Sequence, residues 1–140
     1  MNRRLFLSAV STGMISLAGC ISTLSERKVQ LEKIILVNTL DSAKNISVLV
    51  RNDSEIVYWA EHELAGGICT SAVVEPTWET SPADLSVAVR LADRDSWEQR
   101  SPGRGSGECT VLQIEILHPQ DGGDIYFVNR DCATSPSSPC

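Results

Sequence analysis

A chain of 140 residues with 12 basic and 18 acidic side chains carries a formal charge of −6. That balance excludes a surface built to neutralise nucleic-acid phosphates, which needs clustered Lys and Arg, and it excludes adhesion to anionic lipid through a basic patch. With 42% hydrophobic residues, there is apolar material for the core of one domain.

Residues 2–20 read NRRLFLSAVSTGMISLAGC. Arg3 and Arg4 form a positive n-region, and residues 5–17 are uncharged and mostly apolar. At ~1.5 Å per residue a run of that length reaches roughly 20 Å, short of the ~30 Å hydrocarbon core. It has the dimensions of a signal-peptide h-region rather than a membrane span. Arg3-Arg4-Leu5-Phe6-Leu7 resembles the twin-arginine signature Ser/Thr-Arg-Arg-x-Phe-Leu-Lys, from which Asn2 and Ser8 depart. Leu17-Ala18-Gly19-Cys20 resembles a lipobox, which implies cleavage before Cys20 once its sulfur carries lipid.

Removal of residues 1–19 takes both of those arginines and leaves ten basic against eighteen acidic residues, a charge of −8. Only Lys28, Lys33 and Lys44 supply lysine. An acidic, lysine-poor chain behind such a signal resembles the small secreted lipoproteins of halophilic archaea, a family without a characterised activity. The resemblance implies attachment to the cell membrane through lipid on Cys20, with the domain on the extracellular face. The expected organisation is a signal peptide over 1–19, a lipidated tether over 20–28, a β-domain over 29–132 and a Pro/Ser-rich tail over 133–140.

Beyond the tether the apolar residues fall into short β-branched runs separated by turn chemistry. VQLEKIILVN (29–38), KNISVLVR (44–51) and EIVYWAEHEL (55–64) are the first three expected strands. SAVVE (71–75), LSVAVRL (85–91), CTVLQIEIL (109–117) and DIYFVNRD (124–131) complete seven. NDS, AGG, SPGRGSGE and HPQDGG supply the breakers between them. Seven short strands at this spacing predict an all-β, immunoglobulin-like sandwich. Around the turn at Asn52-Asp53-Ser54, pairing Arg51 with Glu55 matches opposite charges and sets Val48 beside Tyr58.

Four cysteines remain after Cys20: Cys69, Cys109, Cys132 and Cys140. An even number outside the cytoplasm implies two disulfides, and three connectivities are possible. Zinc ligation fits poorly, because no Cys-x-x-Cys pair occurs. The last two strands discriminate further. Setting Cys109 opposite Cys132 aligns Leu112, Ile114 and Ile116 on one face with Ile125 and Phe127. A slip of one residue would move Tyr126 and Arg130 onto that face. Cys109–Cys132 is therefore expected, with Cys69–Cys140 as the remaining pair.

No catalytic constellation emerges. A blue-copper site needs two imidazoles, a thiolate and usually an axial methionine; Met1 and Met14 both lie in the signal, and Cys109 is committed to a disulfide. His62 reads as an ordinary strand residue, and His118 has no partner in sequence. Gly103-Arg104-Gly105-Ser106-Gly107 lacks the first glycine of a nucleophile elbow and reads as a hairpin loop. Asp93 and Asp95 fit no calcium loop and read as loop charges. Asn45-Ile46-Ser47 and Asn52-Asp53-Ser54 match the N-glycosylation acceptor pattern, with Asn52 expected to be the more accessible. Trp59 and Trp78 are expected in the packing, while Trp97, in the polar stretch DRDSWEQR, is a candidate partner contact. The expected function is a non-catalytic binding or structural accessory module of the cell envelope, with no cofactor, no metal and no nucleic-acid partner. Its partners are the membrane, through Cys20, and an envelope protein. The alternative is a small-ligand-binding or enzymatic lipoprotein whose site is assembled from scattered residues.

Overall fold

The computed structural model describes residues 28–103, 108–117, 120, 123–134 and 139–140. Among these residues eight strands run in chain order: β1 (Gln30–Asn38), β2 (Lys44–Asn52), β3 (Glu55–Leu64), β4 (Thr70–Val74), β5 (Leu85–Leu91), β6 (Glu98–Arg100), β7 (Cys109–Leu117) and β8 (Asp124–Asp131). They form two four-stranded sheets, ordered β4-β1-β7-β8 and β3-β2-β5-β6, which pack together as a sandwich. Every neighbouring pair is antiparallel except β1 and β7.

The sandwich agrees with the sequence reading; the strand order does not. An immunoglobulin order splits the second and third strands between sheets, whereas here β2 and β3 are hairpin partners within one sheet. The turn explains the difference. Asp53 adopts φ 53°, the left-handed conformation that closes a tight two-residue hairpin, so Asn52 pairs with Glu55 and Arg51 with Ile56. A bulge then skips Val57, and Val50 meets Tyr58 while Val48 meets Ala60. The expected Arg51–Glu55 and Val48–Tyr58 pairs are therefore not formed.

A second bulge resolves a conflict in LEKI. Leu31 and Ile34 are both fully buried although three residues apart, which strict alternation forbids. The β1–β7 register steps from Leu31↔Thr110 to Lys33↔Val111, so Glu32 is the extra residue and points into solvent. Strand β6 was not visible as a hydrophobic pattern. Glu98, Gln99 and Arg100 are ordered by pairing with Val89, Ala88 and Val87 of β5.

The core interleaves Ile34 and Leu36 with Ile46, Val48 and Val50, and Val87, Val89 and Leu91 with Leu112, Ile114 and Ile116. The β7–β8 pairing runs from Thr110↔Asp131 to Leu117↔Asp124, the expected register, with Ile114 facing Phe127 and Ile116 facing Ile125. Trp78 seals one end, buried to 5% exposure and donating its indole N–H to the Leu31 carbonyl at 2.9 Å. Asn38 organises the other end. Its amide nitrogen donates to the carbonyls of Ser42 and Ala65 at 2.9 and 3.0 Å, and its oxygen accepts from the Leu40 amide at 3.0 Å. A fully buried amide is thereby satisfied on both its atoms. Gly66 completes this junction: a Cβ there would stand 2.1 Å from the Asp41 carbonyl oxygen.

Truncating the centre of this core is expected to be costly. Ile114→Ala should destabilise the domain by about 2–5 kcal/mol, whereas the exposed change Trp59→Ala should stay within about 0.5 kcal/mol. Urea unfolding of both variants checks this; equal shifts would contradict the assignment of inner and outer faces.

Candidate binding face on the outer sheet

The outer faces of the two sheets differ. On the β4-β1-β7-β8 sheet, Ile35, Val37 and Val111 are buried and packed with Cys69 and Cys132. Cys109 joins Cys132 and Cys69 joins Cys140, each with Cα atoms 5.7 Å apart. Closing loops of 23 and 71 residues, the bridges contribute about 3 to 4.5 kcal/mol each in the loop-entropy account. Glu32 lies beside Cys109 and Cys132, but sulfurs joined to each other are not thiolate ligands. Farther along the same face Arg130 Nε donates to Gln113 Oε1 at 2.6 Å, and the Gln113 amide donates to Glu115.

The β3-β2-β5-β6 sheet leaves its outer face open. Leu49 pairs with Trp59 on one side and Ala88 on the other, and Ala88 pairs with Gln99. This row forms the floor and one wall of a shallow groove of about 370 Å³, completed by Arg51, Ile56 and Trp97. Trp59 is 65% exposed, Ile56 47% and Trp97 38%, while Leu49 beneath them is 6% exposed. Clustered exposed aromatics on a small domain mark an interaction surface more strongly than scattered apolar residues do. Trp59 was expected in the packing; it faces outward because it lies opposite Leu49, whose neighbours Val48 and Val50 take the core positions.

Arginine borders this groove. The Arg90 guanidinium lies 5.0 Å from the Trp97 ring centroid, a cation–π contact. Its Nε is buried and has no hydrogen-bond partner among the described residues. Neither Arg51 nor Arg90 takes part in an ion pair among the described residues.

The remaining sequence candidates are placed as follows. Arg3, Arg4, Cys20, His118 and residues 104–107 lie outside the described residues. Asn45 is exposed at the start of β2, whereas Asn52 is only partly exposed, which reverses their expected order of accessibility. Asp93 accepts from Lys44 Nζ at 2.9 Å, and that hydrogen bond holds its carboxyl below the usual carboxylate range. Asp95 is exposed. His62 has a partner that the sequence did not reveal. The Tyr58 hydroxyl is 2.8 Å from His62 Nε2, because both side chains lie on the inner side of the edge strand β3. Tyr58 also meets Trp78 edge to face at 5.6 Å. Desolvation by burial lowers the His62 pKa and raises that of Tyr58.

This burial has a pH consequence. A His held neutral in the folded state binds its proton more readily when unfolded, so its stabilising contribution is complete above the ordinary value of 6.5 and is lost as pH falls below it. Asp93, with a depressed folded pKa, keeps its contribution until pH falls through the range below 3.8. Thermal unfolding midpoints should therefore decline first just below pH 6.5, and His62→Gln should flatten that segment while leaving the acidic limb; an unchanged segment in the variant would contradict the assignment. Compared with family models and with curated proteins, the chain matches none.

Proposed function

We propose that the protein is an exported lipoprotein, held by lipid on Cys20 at the extracellular face of the cell membrane, whose sandwich is a non-catalytic binding module of the envelope. The observation that carries the binding role is the exposed groove between Trp59 and Trp97, bordered by Arg51 and Arg90. Indoles contribute much to interfaces because they bury a large area at small rotamer cost, and arginines because the planar guanidinium fork is pre-organised for hydrogen bonding.

The location rests on the Arg3-Arg4 pair, the apolar run of residues 5–17 and the lipobox-like Leu17-Ala18-Gly19-Cys20. Two disulfides agree with folding outside a reducing cytoplasm. The likeness to the small lipoproteins of halophilic archaea rests on the same signal and on the acidic, lysine-poor composition.

Two variants separate the anchor from the binding face. Cys20→Ser should move the protein from the membrane to the soluble fraction, and unchanged fractionation would refute the anchor. The double variant Trp59→Ala/Trp97→Ala should stay membrane-bound and fold normally, yet lose the envelope components that the parent protein crosslinks. Recovery of the same set would remove the groove from the function.

A further inference from the structure

The outer face of the β3-β2-β5-β6 sheet presents three rows in order along the strands. In the first, Ser47 lies between Glu61 and Arg90; in the second, Leu49 lies between Trp59 and Ala88, with Gln99 beyond; in the third, Arg51 lies between Ile56 and Ser86. At ~3.3 Å per residue, the Arg90 and Arg51 rows are about 13 Å apart with the tryptophan row midway. Arg90 with Trp97 against it, then Trp59, then Arg51 therefore succeed one another along a shallow groove.

We propose that this groove binds a linear, carboxylate-bearing oligosaccharide, a segment of a uronic-acid polymer. The inference rests on the binding-module reading and adds the class of ligand. The charge of the site selects an anion. Arg51 and Arg90 stand without ion-pair partners among the described residues of a chain whose net charge is −6, and the one acid in these rows, Glu61, sits on β3, two strands away from Arg90 on β5. Arg51 is exposed, and the Arg90 guanidinium lies against the Trp97 ring at the edge of the groove. A carboxylate is the acceptor that matches the planar donor fork of a guanidinium.

The shape of the site selects a sugar. Leu49 and Ala88 make a shallow floor between the exposed indoles, not a deep socket for an aliphatic or aromatic anchor of the kind that dominates protein interfaces. An extended peptide would add to a sheet edge, where free backbone groups await it; this groove lies on a face whose strands are already paired with one another. A pyranose ring offers an apolar C–H face to an indole, and its hydroxyls reach the Gln99 amide at the groove wall. A uronic acid adds the carboxylate at its rim. Alternating stacking and ion pairing along one chain reproduces the order of the three rows.

The test is a tryptophan-fluorescence titration of the full chain with oligogalacturonate, a neutral malto-oligosaccharide of equal length, and oligoglutamate. Trp78 is buried, so the change reports Trp59 and Trp97. Oligogalacturonate should give a saturable change, with the neutral sugar and oligoglutamate each weaker by about tenfold or more. Arg51→Gln and Arg90→Gln should each weaken binding about tenfold, and Arg90→Lys should fail to restore it because the fork is lost. Circular dichroism confirms that each variant is folded. Absence of saturation overturns the proposal, as does oligoglutamate binding equally well, which would make the groove a site for acidic peptides. If oligogalacturonate fails while Trp59→Ala/Trp97→Ala still loses its envelope crosslinks, the sugar is overturned and the docking face stands. If both fail, the face has no binding role.

Discussion

Because Ile34 and Leu36 point into the sandwich while Ile35 and Val37 are covered on the opposite face, β1 has no side that meets water over its second half. That double burial dictates much of the rest. A strand buried on both faces needs partners along both edges, and β4 and β7 supply them, the latter in parallel. The parallel pairing sends the chain through the whole β3-β2-β5-β6 sheet before it returns as β7 to lie beside its own beginning. Val29 ties the two sheets together at the entrance, exchanging backbone hydrogen bonds with Ala83 at 2.9 and 3.0 Å. Contacts so distant in sequence form only when most of the chain is in place, so the fold is of the slow, non-local kind.

The same constraint makes the two outer faces unequal. Covering Ile35, Val37 and Val111 requires material on the outside of the first sheet, and the cystines stand there, at Cys69 and Cys132. In so small a domain the bridges add to a core of limited size. No comparable demand exists on the second sheet, where Ser47, Arg51 and Arg90 alternate with Leu49 and Trp59. Its outer face can retain exposed aromatics without cost to the core, because Val48, Val50, Val87 and Val89 already fill the inner side. Stability is concentrated on one sheet, and the proposed recognition face lies on the other.

Legibility in the sequence followed the number of independent constraints acting on each element. The β7–β8 register was readable since cysteine placement and hydrophobic alternation chose one alignment, and a slip would have buried Arg130. Strand β5 was readable to the residue because LSVAVRL alternates without interruption. The β2–β3 hairpin was not, because Asn52-Asp53-Ser54 permits closures of two or three residues and only the positive φ of Asp53 distinguishes them. Bulges at Glu32 and Val57 leave no mark in composition. Strand β6 owes its existence to backbone pairing rather than to its side chains. Strand order lay beyond reach, since it depends on which edges meet across seventy residues and more. At the candidate site the sequence singled out Trp97, yet missed Trp59, whose apolar neighbours made burial look as natural as exposure. The Tyr58–His62 pair was equally hidden: a spacing of four residues along one strand face becomes a contact only when both side chains turn toward each other.

Direction along the sandwich connects the anchor to the groove. Lys28 enters beside Asn52, Asp53 and Asp84, so a tether from the proposed lipid at Cys20 reaches the domain at the end carrying the β2–β3 turn. Nine residues, 20–28, span at most about 30 Å when extended, so lipid on Cys20 would keep that end close to the bilayer. Asn52 is partly covered at that end, whereas Asn45 is exposed at the far end beside Lys44 and Asp93. A glycan at Asn45 would stand clear of the lipid surface. The groove occupies a flank rather than a tip, with its rows stacked along the strands. A linear ligand lying in it would run between membrane and exterior, the direction in which an anchored module meets a polymer extending away from the cell.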